Sequence, residues 1–173
     1  MGWGDHPYAA WNADQTLSTA MQSSVNWYFQ SIDRQLGRSR IHDYIREIGY
    51  GNKDMNGDLS SYWLGASLKI SPIEQVELLT KLYHNRFGFE QEHIDAVKDA
   101  LRISVSGSGT LYGKTGTGLV NGKSVSGWFV GYVETNDNTY FFAIDIKADD
   151  AADGSSAAQI ALSVLSALDI WNE

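Results

Sequence analysis

The chain of 173 residues contains no cysteine. That excludes disulfides, thiolate catalysis and Cys-rich zinc sites, and it is compatible with an extracellular setting without demanding one. Basic residues are few, 13 Lys and Arg against 21 Asp and Glu, for a formal net charge of −8. Such an acidic surface argues against nucleic acid or an anionic membrane as the main partner and serves solubility. The apolar runs are short and interrupted, so no segment reads as a membrane span. The N-terminus carries no signal-peptide pattern, and any anchor or export signal is expected outside this chain. The histidines His6, His42, His84 and His93 show no metal-ligand spacing and read as surface or locally satisfied residues. There is no Gly-rich phosphate loop and no His/Asp pair for a triad, so neither a metal nor a cofactor is expected.

Hydrophobic residues make up 43% of the chain, with six Trp, nine Tyr and six Phe. That is enough for a packed core in one domain or a large part of one. Residues 1–14, with Trp3, Tyr8, Trp11 and Asn12, read as an aromatic packed loop. Leu17, Met21, Val25, Tyr28 and Ile32 keep helical spacing, which predicts two helices broken near Ser23-Ser24 and closed by Gly37. A short helix is predicted over Ser39–Ile48, with Ser39 as N-cap and Gly49 past its end. Residues 50–70 read as a loop. Ser71-Pro72-Ile73-Glu74 is a capping box with proline in the first turn, and a further helix is predicted over Glu90–Ile103.

Ser104–Thr110 reads as a turn or short linker. The period then changes to strands at Leu111–Thr117, Ser124–Glu134 and Thr139–Lys147, with Asn121-Gly122 as a type I′ hairpin turn. A last helix over Asp153–Leu168 would face inward with Ile160, Val164, Leu165 and Leu168. The expectation is an α+β fold over 1–173, as one domain or a large part of one. Residues 1–105 would be mostly helical, and 106–173 would form a three-strand meander plus a helix.

Lys114-Thr115-Gly116-Thr117 carries the sharpest chemistry. On a strand, Lys114 and Gly116 point one way and Thr115 and Thr117 the other. An ammonium and hydroxyls can hold a carboxylate, Gly116 lets a ligand approach the backbone, and an outward N–H such as that of Thr117 can stabilise an oxyanion. An ordinary exposed strand fits the tripeptide alone as well. In Ser24-Val25-Asn26, Ser24 falls among apolar neighbours at helical spacing. Either Ser24 or Asn26 caps the next helix, or Ser24 relays a proton while Asn26 holds a substrate amide or a lysine. Trp63, taken alone, reads as core.

Ser24-Val25-Asn26 ahead of Lys114-Thr115-Gly116, with Tyr50-Gly51-Asn52, Trp63 and Ser67-Leu68-Lys69-Ile70-Ser71-Pro72 between them, resembles the class D β-lactamases and their relatives, the sensor domains of the BlaR/MecR antibiotic receptors. The strings Ala20–Phe29, Leu111–Gly118 and Gly127–Val133 resemble the sensors in particular. The resemblance covers nearly the whole chain. It implies a β-lactamase/penicillin-binding-protein-like fold, with an antiparallel sheet flanked by helices. It also implies an extracellular sensor that penicillins acylate and that deacylates slowly, the alternative being a class D β-lactamase. Ser24 would relay protons, and Lys114, Thr115, Gly116 and Thr117 would bind the β-lactam.

In the hydrolases a carboxylated lysine, held partly by a tryptophan matching Trp63, activates the deacylating water. Here Asn26, where they commonly have Val, would restrain that lysine instead. Gly65 departs from a frequent Glu. Asp145–Ser156 holds only Lys147 where many relatives carry a carboxylate-binding Arg, which leaves that role to Thr115 and Thr117. The family's nucleophile motif, Ser-x-x-Lys, occurs nowhere in the 173 residues. By the resemblance, the N-terminal strands and the nucleophile helix belong to a segment outside this chain. The expected partners are β-lactam antibiotics, that complementary segment, and a second copy through an exposed sheet edge.

Overall fold

In the computed structural model, which describes residues 6–172, helices come first and strands second, as the change of period predicts. Trp3 lies outside the described residues. A 3₁₀ turn Ala9–Trp11 precedes α1 (Leu17–Gln22), α2 (Asn26–Leu36), α3 (Arg38–Ile48), α4 (Pro72–Tyr83) and α5 (Gln91–Leu101). The break expected at Ser23-Ser24 separates α1 from α2. Gly49 closes α3 in the left-handed conformation, φ +70°, where a β-carbon would be strained. Ser39 is not the cap of α3. The chain turns at Gly37, whose φ of +76° only glycine adopts freely, so the helix starts one residue earlier and no side chain caps it. At α4 the capping box is complete. The Ser71 hydroxyl accepts from the Glu74 N–H at 3.3 Å, and a Glu74 carboxylate oxygen accepts from the Ser71 N–H at 2.9 Å.

The sheet has four strands rather than the three expected. These are β1 (Arg102–Ser106), β2 (Gly109–Val120), β3 (Lys123–Glu134) and β4 (Thr139–Lys147), antiparallel in the order β1-β2-β3-β4. β1 occupies what composition marked as helix end and linker. Its residues are mostly exposed, Val105 at 68%, so no buried face gives it a strand pattern. It is a strand because β2 offers a pairing edge, with Ser104 opposite Leu111 and Val105 opposite Thr110. The β2–β3 hairpin turns at Asn121 and Gly122, whose φ values of +51° and +77° are the pair a type I′ turn needs.

α6 (Gly154–Ala167) covers one face of the sheet. Its inward residues are Ala157, Ala161 and Leu165, packed on Phe129, Leu111 and Val133. The expected inward set is corrected here, because only Leu165 is buried while Ile160, Val164 and Leu168 are 45%, 46% and 62% exposed. Small residues let the helix sit close to the sheet, and that rotates the larger side chains outward. Val164 and Leu168 line, with Val76, Phe141 and Ile144, an apolar groove of about 410 Å³ along the β4 edge. No described strand pairs with the outer side of β4.

The other face of the sheet meets the helical region. The Tyr83 hydroxyl donates to a Glu134 carboxylate oxygen at 2.7 Å, tying α4 to the end of β3. Tyr132, 1% exposed, packs under Tyr83 and stacks on Tyr112. A second apolar cluster of Ile41, Ile45, Met55 and Tyr62 holds α3 to the loop after it.

Candidate functional site

Register decides which way the Lys-Thr-Gly strand faces. Lys114 lies opposite Val130 and Thr115 opposite Phe129, the residue that packs under α6. Lys114 and Tyr112 therefore face the helical region, while Thr115 and Thr117 face α6. β1 pairs with β2 only from Gly109 to Tyr112. From Lys114 onward β2 has β3 on one side and, among the described residues, no strand on the other. The backbone of the motif is an open edge that a ligand can meet.

Across this edge the Lys114 ammonium donates to the Ser24 hydroxyl at 2.6 Å, joining residues 90 positions apart, and also to the Thr115 carbonyl at 2.7 Å. Burial lowers the Lys114 pKa from the ordinary lysine value, because an ammonium loses hydration there. Since Ser24 accepts from Lys114, its own proton remains free to donate. The structure thus brings together two residues that the sequence placed in separate motifs.

Ser24 is not the α2 cap. Val25 holds that position and no side chain caps it. Ser24 ends α1 instead, in a Schellman arrangement. Its N–H bonds the Met21 carbonyl at 3.2 Å and the Val25 N–H bonds the Ala20 carbonyl at 2.8 Å. The left-handed position of that motif is ordinarily glycine. Here it is serine, at φ +51°. The hydroxyl has been placed at a backbone cost of about 1–2 kcal/mol. Asn26 follows as the first residue of α2, half-buried, and among the described residues its side-chain amide has no hydrogen-bond partner.

Trp63 gives its indole N–H to a carboxylate oxygen of Asp33 at 3.0 Å. The donor that the resemblance assigns to a carboxylated lysine is committed to α2. Burial pushes the Asp33 carboxyl up, and the Trp63 hydrogen bond and Arg34 hold part of that shift back. Asp33 was not singled out in the sequence. The signal was its place seven residues after Asn26, on the same face of one helix.

The Thr117 hydroxyl accepts from the Gly154 N–H at 2.9 Å, so it pins the start of α6 to the strand. It keeps its own proton to donate. A β-carbon at Gly116 would meet nothing nearer than Trp128 at 3.7 Å. Packing inside the chain therefore does not require glycine there. Lys147 sits 3.1 Å from an Asp145 carboxylate oxygen, so the one cation of the segment 145–156 is paired. No cluster of metal-ligating side chains occurs among the described residues.

The chain matches the model of the penicillin binding protein transpeptidase domain over residues 2–166. It is 52% identical over 160 residues to the regulatory protein BlaR1 of Bacillus licheniformis, covering 92% of this chain and 26% of that protein. Its structure resembles the C-terminal domain of the Bacillus licheniformis BlaR penicillin-receptor, with a TM-score of 0.93 and 49% identity, over 98% of this chain and 69% of that one. The class D β-lactamase BAT-2 follows with a TM-score of 0.90 and 34% identity, over 99% of this chain and 70% of that one. The chain therefore spans about a quarter of its curated relative and about two thirds of the matched domains. The chain belongs to the penicillin binding protein transpeptidase domain family.

Proposed function

We propose that this chain is the carboxylate-binding and proton-relaying part of a β-lactam-sensing domain of the BlaR/MecR type, displayed on the outer face of a bacterial membrane. The observation that carries the reading is the 2.6 Å hydrogen bond from Lys114 to Ser24 beside an open strand edge. A β-lactam would lie along the open backbone edge of Lys114–Thr117, with its carboxylate at the Lys114 ammonium. When the lactam C–N bond breaks, the ring nitrogen takes the Ser24 proton and Ser24 takes one from the Lys114 ammonium. The acylated serine would come from a Ser-x-x-Lys segment, which none of these residues forms.

Two observations favour sensing over hydrolysis. The Asn26 amide is available to a lysine, and the Trp63 N–H is spent on Asp33. Both would weaken the support for a carboxylated lysine. The class D β-lactamase reading rests on the likeness to BAT-2. Nitrocefin turnover and intact mass separate the two, measured on a protein that combines this chain with a Ser-x-x-Lys segment. The expected result is a stoichiometric adduct that persists, with turnover near zero. Rapid multiple turnover defeats the sensor.

Among the described residues the β4 edge is open, and an apolar groove lies beside it. Further polypeptide, a strand-bearing segment of the same domain or a second copy, would cover Ile160, Val164 and Leu168. Exposed apolar stripes of this kind are ordinarily interfaces. The chain alone is expected to self-associate, or to bind the dye anilinonaphthalene sulfonate, in light scattering and fluorescence. A monomer with a cooperative melt and no dye binding contradicts it.

A further inference from the structure

Ser24 holds a conformation that suits glycine, φ +51°. Two indoles close on the turn. The Trp11 N–H donates to the Ser23 carbonyl at 3.0 Å, and the Trp27 N–H donates to the Trp11 carbonyl at 3.0 Å. Ser23 immediately precedes Ser24, and Trp27 immediately follows Asn26. The Ala9–Trp11 turn therefore bridges the segment 23–27 from one side to the other. The chain path from Ser23 to Trp27 returns through Trp11 to its own start. Beneath it Ala20 and Val25 are both 0% exposed and anchor the turn from the inside.

We propose that Trp11 and Trp27 form a clasp that holds the Ser24 turn left-handed, which makes them positioning residues for the Ser24–Lys114 pair. They act through the backbone that aims the Ser24 hydroxyl. An L-residue in this region keeps its conformation only where its surroundings over-determine it, and the clasp supplies the outer half of those surroundings. Without it, the turn relaxes, Ser24 swings off Lys114, and water reaches the ammonium. The proposal rests on the reading of Ser24 and Lys114 as the working pair, but its test involves no β-lactam. A failed clasp and a failed binding reading are therefore told apart.

The experiment follows the ε-carbon of Lys114 by NMR through a pH titration of the chain, in parallel with thermal melting. Trp11→Phe keeps an aromatic ring and removes the N–H. Its Lys114 midpoint is expected to rise toward the ordinary lysine value of 10.5. Its loss in melting temperature is expected to shrink in a Ser24→Gly background, where glycine accepts the left-handed turn without strain. An unmoved Lys114 midpoint, or the same melting loss in both backgrounds, overturns the clasp. Should Trp11→Phe fail to fold, benzothienylalanine at position 11 preserves the ring shape without the N–H, and the same two readings apply. Trp27→Phe is expected to repeat the Lys114 shift in the same direction.

Discussion

Lys114→Met is expected to weaken noncovalent penicillin binding by about 10–100-fold while leaving the native state as stable as before or more so. A charged donor to a carboxylate contributes about 1.5–3 kcal/mol, and about 1.4 kcal/mol is a factor of ten. Methionine fills nearly the same space, so packing changes little. It also removes an ammonium that burial disfavours. Binding and stability therefore move in opposite directions, which a purely structural lysine would not produce. An NMR titration with a penicillin reads the first effect, and an unchanged dissociation constant would sink the carboxylate assignment. The stability difference has a definite pH course. The folded pKa of Lys114 lies below the unfolded value of 10.5, so between the two the unfolded chain binds more protons and native stability rises with pH. The advantage of the methionine variant is largest at neutral pH and shrinks as pH climbs through that window. Tyr62 and Tyr112, pushed up to about 12 by burial, pull the other way once unfolded tyrosines ionise. The quantity to follow is thus the difference between wild type and variant, in which the tyrosines cancel.

What was legible in the sequence was written in local chemistry. Ser71-Pro72-Ile73-Glu74 makes its own helix start, and Asn121-Gly122 makes its own turn, because each satisfies its backbone within four residues. What was illegible depended on partners far along the chain. β1 looks like a linker because its strand character belongs to the edge of β2. The inward face of α6 was misread because larger side chains suggested burial, whereas close approach to the sheet selects alanine. The site divides the same way. The alternation of Lys114 and Thr115 followed from strand period alone, and the structure bears it out. That Ser24 replaces glycine in a helix-ending turn, that Thr117 is bonded to Gly154, and that Trp63 is bonded to Asp33 are tertiary facts. Gly65 takes φ +71° in the loop and lends its carbonyl to the Lys69 ammonium at 2.9 Å.

Gly127→Ala is expected to lower stability by about 2–4 kcal/mol, from overpacking of about 1–3 kcal/mol and the loss of a helix cap of about 1 kcal/mol. Gly127 lies in β3 directly opposite Thr117. A methyl group there would stand 2.0 Å from the Asp153 carbonyl oxygen and 2.4 Å from its carbon. Backbone cannot yield as a flexible side chain can, so the start of α6 must move. Asp153 caps that helix by accepting the Ser156 N–H at 2.7 Å, and the next residue is bonded to the Thr117 hydroxyl. One methyl group therefore strains the sheet, the cap and the back of the Lys-Thr-Gly strand together. Against a typical total of about 5–15 kcal/mol, that is a large share of the native stability. Gly107→Ala is the control, since nothing lies within 4 Å of the added carbon and a change within about 0.5 kcal/mol is expected. Urea denaturation compares the two midpoints. If both alanines unfold at the same urea concentration, the start of α6 is free to shift, and the strand that carries Lys114 is not braced from behind.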